Sequence, residues 1–359
     1  ANHKVVVDEK GEKVREPGMF KECKATGWYI EEYKQAQVTM NLTNYKISPP
    51  HLVFDACCDL AREIGCRVTG SELVGLIPKE AMLQAGRHYL DKQGASQGVP
   101  EKDLIQVAIK SMSLDDISEF DPEKKIIESY VEGGAECQTN LSVSDYLDEV
   151  SRNSPAPGGG AVAALCGSLS SALASMVANL TYKKKGYKKF DDEMNRVAVE
   201  AQELKKKFLD AITADTEAFN LVMKAMKMKK DTDQQKKTRA AAMEEANKEA
   251  ALSPLGMLRL APRSVALAEV VARHGNKNAL SDSAVSAVTA RTAAKGAWYN
   301  VMVNLGGVDD QEFKKKITEE ANELLKKVEA ESEKVEKIVQ EKLGLAPAQV
   351  WVIWEAQRQ

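Results

Sequence analysis

The spacing of apolar residues follows one pattern before about residue 135 and another after it. In the earlier part, GWYIEEYKQAQVTMNLT (27–43) alternates as two short strands do, and CRVTGSELVGLIP (66–78) as one more strand does. HLVFDACCDLAREIG (51–65) and KEAMLQAGRHYLD (79–91) have the spacing of amphipathic helices. The order strand, strand, helix, strand, helix predicts an α+β subdomain in which helices cover a ferredoxin-like sheet.

The later part has helical spacing throughout. In SVSDYLDEV, Ser142 is placed to cap the N-terminus of a helix, and Asp145 lies near the positive end of that helix. We place Pro254 in the first turn of a helix, where proline is tolerated. Long apolar stripes among charged residues predict an all-α helical bundle. Its further helices are predicted over 160–182, 190–230, 232–251, 254–274, 281–304 and 310–343.

Domain boundaries follow from these patterns. We assign residues 1–130 to the α+β subdomain and residues 141–345 to the helical domain. Between them, VEGGAECQTN (131–140) is polar, contains glycine and lacks periodicity, which is typical of a linker. The tail APAQVWVIWEAQRQ (346–359) fits neither pattern.

Composition narrows the classes of partner. The 359 residues include 50 basic and 53 acidic side chains, a net charge of -3, so no whole-chain bias points to nucleic acid. Gly, Ser and Asn interrupt the longest apolar run (161–180), and no basic start precedes an apolar segment, so we expect no membrane association. The six cysteines form no C-x-x-C pair and have no zinc spacing, which favours reduced thiols in a cytoplasmic protein.

The stretch SPAPGGGAVAALCGSLSSALASMV (154–177) joins two opposite local signals. Pro157, Gly158, Gly159 and Gly160 should break regular structure, yet a long run of small and apolar residues follows at once. In one hypothesis, the unhindered N–H groups at this helix start bind a carboxylate, a phosphate or developing negative charge. The alternative is that the glycines only let the helix pack tightly against its neighbours.

A second candidate is the acidic segment ITADTEAF (212–219). Asp215 and Glu217 lie in a predicted helix beside apolar residues, so the aspartate can face the protein interior. A carboxylate there can serve as general acid and base. The alternative is an ordinary solvated acidic face.

A polar loop in ARHGNKNALSDSAVSA (272–287) is a third candidate. The amides of Asn276 and Asn278 and the carboxyl of Asp282 can hydrogen-bond a heterocycle. The alternative is that Gly275 and Asn276 end one helix and that Ser281 caps the next.

The lysine-rich segment TYKKKGYKKF (181–190) is the fourth. Its lysines, Lys184 and Lys185 among them, can attract an oligo-anionic tail, or they can form a solvated turn. No P-loop, nucleophile elbow or zinc motif occurs, so we predict no metal site.

Several segments together resemble known enzymes. SPAPGGGAVAA, MVANLTY, ADTEAF, HGNKNALSD and AWYNVMVNL, within residues 141–343, resemble the formiminotetrahydrofolate cyclodeaminase family, which shares its fold with bacterial methenyltetrahydrofolate cyclohydrolases. GWYIEEYKQAQVTMNLT, VTGSELVGLIP and AMLQAGRHYL resemble the C-terminal subdomain of glutamate formiminotransferase. The chain as a whole is similar to the bifunctional formiminotransferase-cyclodeaminases of histidine degradation.

The resemblance implies a reaction. In 5-formiminotetrahydrofolate, N10 attacks the formimino carbon, and ammonia leaves to give 5,10-methenyltetrahydrofolate, with the folate as substrate and no separate cofactor. The resemblance places the proton transfers on Asp215. It implies that the helix start from Pro157 to Gly160 approaches the folate closely, and Glu217 tunes the aspartate or faces solvent.

The resemblance also implies partners. Asn276, Asn278 and Asp282 would bind polar edges of the folate, and Lys184 and Lys185 its polyglutamate tail. Family members are homo-oligomers with cyclodeaminase sites near subunit interfaces. The transferase half of the family begins with another subdomain that carries its catalytic histidine and has no counterpart here, so we do not expect this chain alone to transfer formimino groups.

Two alternative functions remain open. Methenyltetrahydrofolate cyclohydrolase uses the same fold on the related ring with water in place of ammonia, but the transferase-like subdomain favours formimino chemistry. A non-catalytic helical scaffold is the other alternative, and it would be insensitive to substitution of Asp215.

Overall fold

The computed structural model describes residues 7, 9–11, 18–32, 34–132, 141–153 and 156–345. The chain divides into two compact units, Ala1–Ala95 with Glu101–Gly134, and Ser96–Pro100 with Ala135–Gln359. The predicted tail and most of the predicted linker lie outside the described residues. The first two linker positions, 131 and 132, continue a helix.

The first unit contains the two strands that alternation predicted. β1 (Cys23–Ile30) and β2 (Gln35–Leu42) pair antiparallel, with Cys23 opposite Leu42 and Ile30 opposite Gln35. The two predicted helices are also present, each beginning directly after a proline. The helices of this unit are α1 (Pro50–Glu63), α2 (Lys79–Lys92), α3 (Glu101–Ser111), α4 (Pro122–Lys125) and α5 (Ile127–Glu132).

The predicted third strand is wrong. Over 66–78 the chain is irregular and mostly exposed, and Ile77 alone forms an isolated parallel bridge, to Ile126. Alternation describes a half-buried extended segment, but a strand also needs a hydrogen-bonded neighbour along its length. Among the described residues β1 and β2 pair only with each other, so the sheet is a two-stranded hairpin and a ferredoxin-like sheet is not confirmed.

The second unit is the predicted helical bundle. α7 runs through its centre and packs against α8, α9 and α10. α7 is long and apolar enough to cross a membrane, but 61% of its most apolar window is buried inside the protein, as expected for a central bundle helix. The helices are α6 (Val143–Ser151), α7 (Gly159–Thr181), α8 (Asp191–Met226), α9 (Asp233–His274), α10 (Leu280–Leu305) and α11 (Gln311–Leu343).

Local signals set several of the helix ends. The Ser142 side chain accepts a hydrogen bond from the Asp145 N–H at 3.1 Å, as predicted for the start of α6. α9 begins with a capping box of Thr232 and Gln235. α11 ends at Gly344, whose φ of 69° is the left-handed conformation that favours glycine.

The predicted break at Pro254 is wrong. α9 continues from Asp233 to His274 with Pro254 buried inside it. A proline in a helix leaves the carbonyl four residues earlier without its usual N–H partner. Here that carbonyl, of Ala250, accepts a hydrogen bond from Asn304 Nδ2 of α10 at 2.5 Å. A neighbouring helix therefore satisfies the group that proline leaves free.

Candidate functional site

A cavity of about 350 Å³ opens in the helical bundle at the start of α7. Its wall combines backbone of the glycine-rich helix start, one carboxylate, three asparagines and apolar side chains. This volume lies within the range of small-molecule sites, roughly 300–1,000 Å³. The lining residues are Ala156, Gly158, Gly159, Gly160, Asp215, Ala218, Phe219, Val222, Asn247, Ala250, Asn300, Val303, Asn304 and Gly307.

Asp215 of α8 lies directly over the start of α7. A Cβ placed on Gly160 would overlap both carboxylate oxygens and would lie 2.6 Å from Cγ, so only glycine admits the aspartate here. The N-cap residue Gly158 has no side chain to cap the helix, and the Asp215 carboxylate accepts the Ala161 N–H instead. The glycines that sequence analysis singled out thus let a carboxylate from another helix reach this helix start.

Burial sets the protonation behaviour of Asp215. Removal from water raises the pKa of the carboxyl above its ordinary value, and the Ala161 N–H opposes this by stabilising the charged form. Tyr146, a buried residue of the same helical core, has its pKa raised by burial and by the charge of Asp215. A carboxyl with a raised pKa at the wall of a cavity is suited to accept and return a proton.

Three asparagines of the cavity were not predicted from the sequence. Asn300 and Asn304 lie one turn apart on α10, and Asn247 lies on α9. The amide of Asn300 sits beside the helix start, because a Cβ on Gly159 would lie 3.5 Å from its Nδ2. The available signal was the pair of asparagines spaced i, i+4 in the apolar segment AWYNVMVNL, a spacing that places both on one helix face.

Other predicted residues lie away from the cavity. Glu217 is exposed on α8 and does not line it, and Pro157 is buried just before Gly158. Asn276 is buried, with its N–H donated to Thr181 Oγ1 at 2.8 Å and its Oδ1 accepting the Asn278 N–H at 3.1 Å. Gly275 ends α9 and Asn276 caps the 3-10 turn 277–279, in line with the alternative interpretation, but the predicted Ser281 cap is wrong because Ser281 lies inside α10.

The loop and lysine residues lie at the opposite end of the bundle from Asp215. Asp282 is in the first turn of α10, 18 residues before Asn300, or about 27 Å along the helix. Lys184 and Lys185 are exposed beyond the end of α7, whose 23 residues span about 33 Å from the glycine-rich start. Within one chain, these residues and the carboxylate do not form one site.

The first unit holds a separate group of titratable side chains. Asp55 Oδ2 lies 2.8 Å from His88 Nε2 and 2.9 Å from Lys92 Nζ, and Asp55 Oδ1 accepts the Tyr89 hydroxyl at 3.2 Å. The buried His51 ring lies 4.6 Å from that of His88, and burial, aided by His88, lowers the pKa of His51 to about 4. Across the described ranges, no three His, Cys, Asp or Glu side chains are grouped so as to hold a metal ion.

Comparison with protein families matches both parts of the chain. Residues 2–132 match the family described as Formiminotransferase domain, and residues 142–323 match the one described as Formiminotransferase-cyclodeaminase. The formimidoyltransferase-cyclodeaminase of Sus scrofa is 33% identical over 334 residues, which are 92% of this chain and 62% of that protein. The chain thus spans less than two thirds of the length of this relative.

Two further similarities concern the helical unit. The methenyltetrahydrofolate cyclohydrolase of Methylorubrum extorquens is 36% identical over 205 residues, covering 57% of this chain and 99% of that protein. The crystal structure of the formiminotetrahydrofolate cyclodeaminase of Thermotoga maritima matches with a TM-score of 0.52 and 34% identity, covering 57% of this chain and 98% of the other. Both parts of the chain match, and in the same order as in the relatives, so the chain belongs to the formiminotransferase-cyclodeaminase family.

Proposed function

We propose that the helical unit is a formimidoyltetrahydrofolate cyclodeaminase, which converts 5-formiminotetrahydrofolate to 5,10-methenyltetrahydrofolate and ammonia. The observation that carries the proposal is the Asp215 carboxylate, held over the start of α7 at the wall of the cavity with its pKa raised by burial. The family membership and the similarity to a solved cyclodeaminase support it.

Asp215 carries the proton between two nitrogens. N10 attacks the carbon of the protonated formimino group and becomes positively charged, while the former C=N bond becomes a single bond to NH2. The carboxylate takes the proton from N10 and gives it to that NH2, which leaves as ammonia as the methenyl C=N bond forms. One general base that then acts as acid suffices, and its raised pKa makes the carboxylate a stronger base toward the N10 proton.

The walls of the cavity supply positioning. Phe219, Val222 and Val303 offer apolar surface to the aromatic parts of a folate, and the first-turn N–H groups of Gly159 and Gly160 have no partner within the helix. Holding N10 against the formimino carbon is worth more than the proton transfer, because oriented intramolecular attack reaches effective molarities of roughly 10⁵–10⁸ M.

A homo-oligomer would bring the predicted binding residues at one end of the bundle close to the cavity at the other end, in a second copy of the chain. α7 exposes Leu169, Met176 and Leu180, and α10 exposes Val285 and Val303, which leaves apolar surface along both helices. Two copies packed antiparallel along these helices would bring the α7 end of one copy to the α7 start of the other. This geometry supports sites close to subunit interfaces.

In such a pair the remaining predicted residues would act on the partner's cavity. We propose that Lys184 and Lys185 bind a polyglutamate tail, and that Asn276, Asn278 and Asp282 contact polar edges of the folate there. Their distance of about 27–33 Å from the cavity of their own chain requires this arrangement. Lys184, Lys185 and Asn278 are exposed and Asp282 is half-buried, which leaves these four available to a ligand, whereas Asn276 is buried.

Two further proposals concern the wider protein. Glutamate formimidoyltransferase activity is proposed only where transferase residues beyond those of this chain are supplied, since the relatives are longer. A cytoplasmic location is favoured by Cys23, Cys57, Cys58, Cys66 and Cys166, which are free thiols.

Methenyltetrahydrofolate cyclohydrolase is the second candidate function. It is favoured by the Methylorubrum extorquens relative, 99% of which aligns with this chain. The same cavity and carboxylate would then activate water against the methenyl carbon. The match of residues 2–132 to a formiminotransferase domain favours the formimino substrate instead.

The deciding experiment incubates the full chain with 5-formiminotetrahydrofolate and follows the ultraviolet absorbance of the methenyl product and the release of ammonia. We expect rapid conversion by the wild type and a loss of about 10³-fold or more in Asp215→Asn, whose folding is checked by circular dichroism. Hydrolysis of the methenyl compound without conversion of the formimino compound would establish the cyclohydrolase instead. Inactivity on both, or an undiminished Asp215→Asn, would refute the proposal.

A further inference from the structure

The three asparagines of the cavity share one arrangement. Each uses its Nδ2 to bind a backbone carbonyl: Asn300 binds Gly296 at 2.8 Å, Asn304 binds Ala250 at 2.5 Å, and Asn247 binds Gly307 at 2.5 Å. Because an amide is planar, anchoring Nδ2 also fixes the direction of Oδ1. One of the two N–H donors of each side chain is therefore committed to the protein, and the Oδ1 acceptor is held in place.

The Asn304 anchor uses the carbonyl that the helix proline leaves without its usual N–H partner. Pro254 has no N–H to give to the Ala250 carbonyl, which therefore remains open for Asn304 Nδ2. A residue with an N–H at position 254 would share that carbonyl with Asn304 Nδ2. The proline in α9 thus has a second consequence, the orientation of an amide on α10.

The Oδ1 atoms of these amides are available to a ligand. Within the part of the chain that the structure describes, none of the three accepts a hydrogen bond, and none is among the buried atoms without a partner, so each reaches solvent. Together with the Asp215 carboxylate, they give the wall of this cavity acceptor oxygens from four side chains. Such a set favours a cation that carries several N–H groups.

We propose that Oδ1 of Asn247, Asn300 and Asn304 bind the N–H groups of the formimino nitrogen, select the amidinium substrate and reject its oxygen analogue. The inference rests on the proposed function and names the residues that hydrogen-bond the nitrogen that leaves as ammonia. In 5-formyltetrahydrofolate the same position holds a carbonyl oxygen, which has no N–H to donate. When the formyl compound binds, its carbonyl oxygen would face the Oδ1 acceptors without a hydrogen bond between them. Unpaired acceptors of this kind strongly favour the formimino over the formyl compound.

The same contacts assist the reaction. The formimino nitrogen carries two N–H bonds as an amidinium, keeps them as NH2 after N10 attack, and gains a third from Asp215 before leaving as ammonia. Acceptors at fixed positions favour the protonated amidinium, which makes its carbon more electrophilic, and they solvate the nitrogen as its proton count rises. No atom is exchanged with the asparagines, so they are binding groups and not acids or bases.

The test compares the two folates in isosteric variants of the full chain. We measure kcat and KM for 5-formiminotetrahydrofolate and the inhibition constant of 5-formyltetrahydrofolate in Asn300→Leu and Asn304→Leu. The control is Asn220→Leu, an exposed asparagine on α8 outside the cavity. Equilibrium binding of both folates to Asp215→Asn, alone and combined with Asn300→Leu, gives a readout that needs no turnover.

We expect the wild type to prefer the formimino over the formyl compound by about 10³-fold or more. Each leucine variant should reduce this preference about tenfold or more, because a hydrogen bond to a charged group is lost, and Asn220→Leu should not change it. Asn300→Leu is the safer variant for folding, since in a regular α-helix the Gly296 carbonyl also accepts the backbone N–H of residue 300.

An unchanged preference in both cavity variants, or an equal loss of affinity for the two folates, would overturn the inference while leaving the cyclodeaminase proposal intact. A wild type that neither converts the formimino compound nor binds either folate would overturn both. The two failures are therefore distinguishable in one set of measurements.

Discussion

Two carboxylates, one in each unit, have opposite surroundings. Asp55 of the first unit is bonded by His88, Tyr89 and Lys92; burial favours its neutral form, but the bonds from Lys92 and His88 outweigh burial and lower the pKa of the carboxyl. Asp215 of the bundle is held by the Ala161 N–H, and burial raises its pKa. A carboxylate satisfied by a lysine and further hydrogen-bond partners stabilises a fold, whereas one left short of partners at a cavity is free to exchange a proton.

The largest expected effect tests how Asp215 is admitted to its site. Gly160→Ala would place a methyl group inside the position of the carboxylate and displace it. We expect kcat to fall about 100-fold, because a shift of about 1 Å at a reacting group has this consequence. Steady-state kinetics on 5-formiminotetrahydrofolate measure it.

The matched control for this variant is Gly256→Ala. Gly256 also lies inside a helix, but a Cβ there meets nothing within 4 Å. It should leave kcat unchanged and stabilise the protein by about 0.5–1 kcal/mol. A full kcat in Gly160→Ala would show that the aspartate does not need its present position.

The second effect is the difference in stability change between variants of the two aspartates. Asp55→Asn removes charge-assisted bonds and should destabilise the first unit by about 2 kcal/mol at neutral pH. Asp215→Asn keeps an acceptor for the Ala161 N–H but removes a desolvated charge, so it should stabilise the bundle by about 1 kcal/mol, a gain limited by partial solvation. Hydrogen exchange measured separately in α1 and α7 assigns each change to its unit.

The pH dependence of these two variants has opposite signs. The stability that Asp55 contributes is complete above the ordinary pKa of an aspartate and is lost as the pH falls through its lowered pKa. The destabilisation from Asp215 is absent below the ordinary pKa and grows as the pH rises through its raised pKa. If both variants shifted stability in the same direction at every pH, the contrast between the two sites would be wrong.

The third effect concerns His51. Burial and the neighbouring His88 lower its pKa from 6.5 to about 4, so the unfolded chain binds the additional proton between these values. The first unit should lose on the order of 1–2 kcal/mol as the pH falls from 6.5 to 4, after allowance for solvent screening. His51→Phe keeps a ring against His88 and should flatten this slope in urea titrations, whereas an equal slope in the variant would place the acid sensitivity elsewhere.

Helix periodicity and capping residues predicted the bundle well because they are local properties. The Ser142 cap and the bounds of α7, α10 and α11 are close to their predicted positions. The predicted helix boundary at Pro254 was wrong, because a proline ends a helix only if nothing else satisfies the freed carbonyl. Here that carbonyl is satisfied by Asn304, which lies 50 residues away in sequence. The strand predicted over 66–78 was wrong for a related reason, because alternation does not show whether a partner strand is present.

By itself, the sequence determined the helical class of the second unit, its apolar faces, the glycine-rich helix start and Asp215 as a candidate acid and base. The tertiary structure alone decided that this aspartate and those glycines need each other, and that Asn247, Asn300 and Asn304 surround the same cavity. It also separated the lysine and Asn276 loops from that cavity by about the length of a helix. The physical reason is that spacing reports which side chains share a face of one helix, whereas packing between helices decides which faces meet.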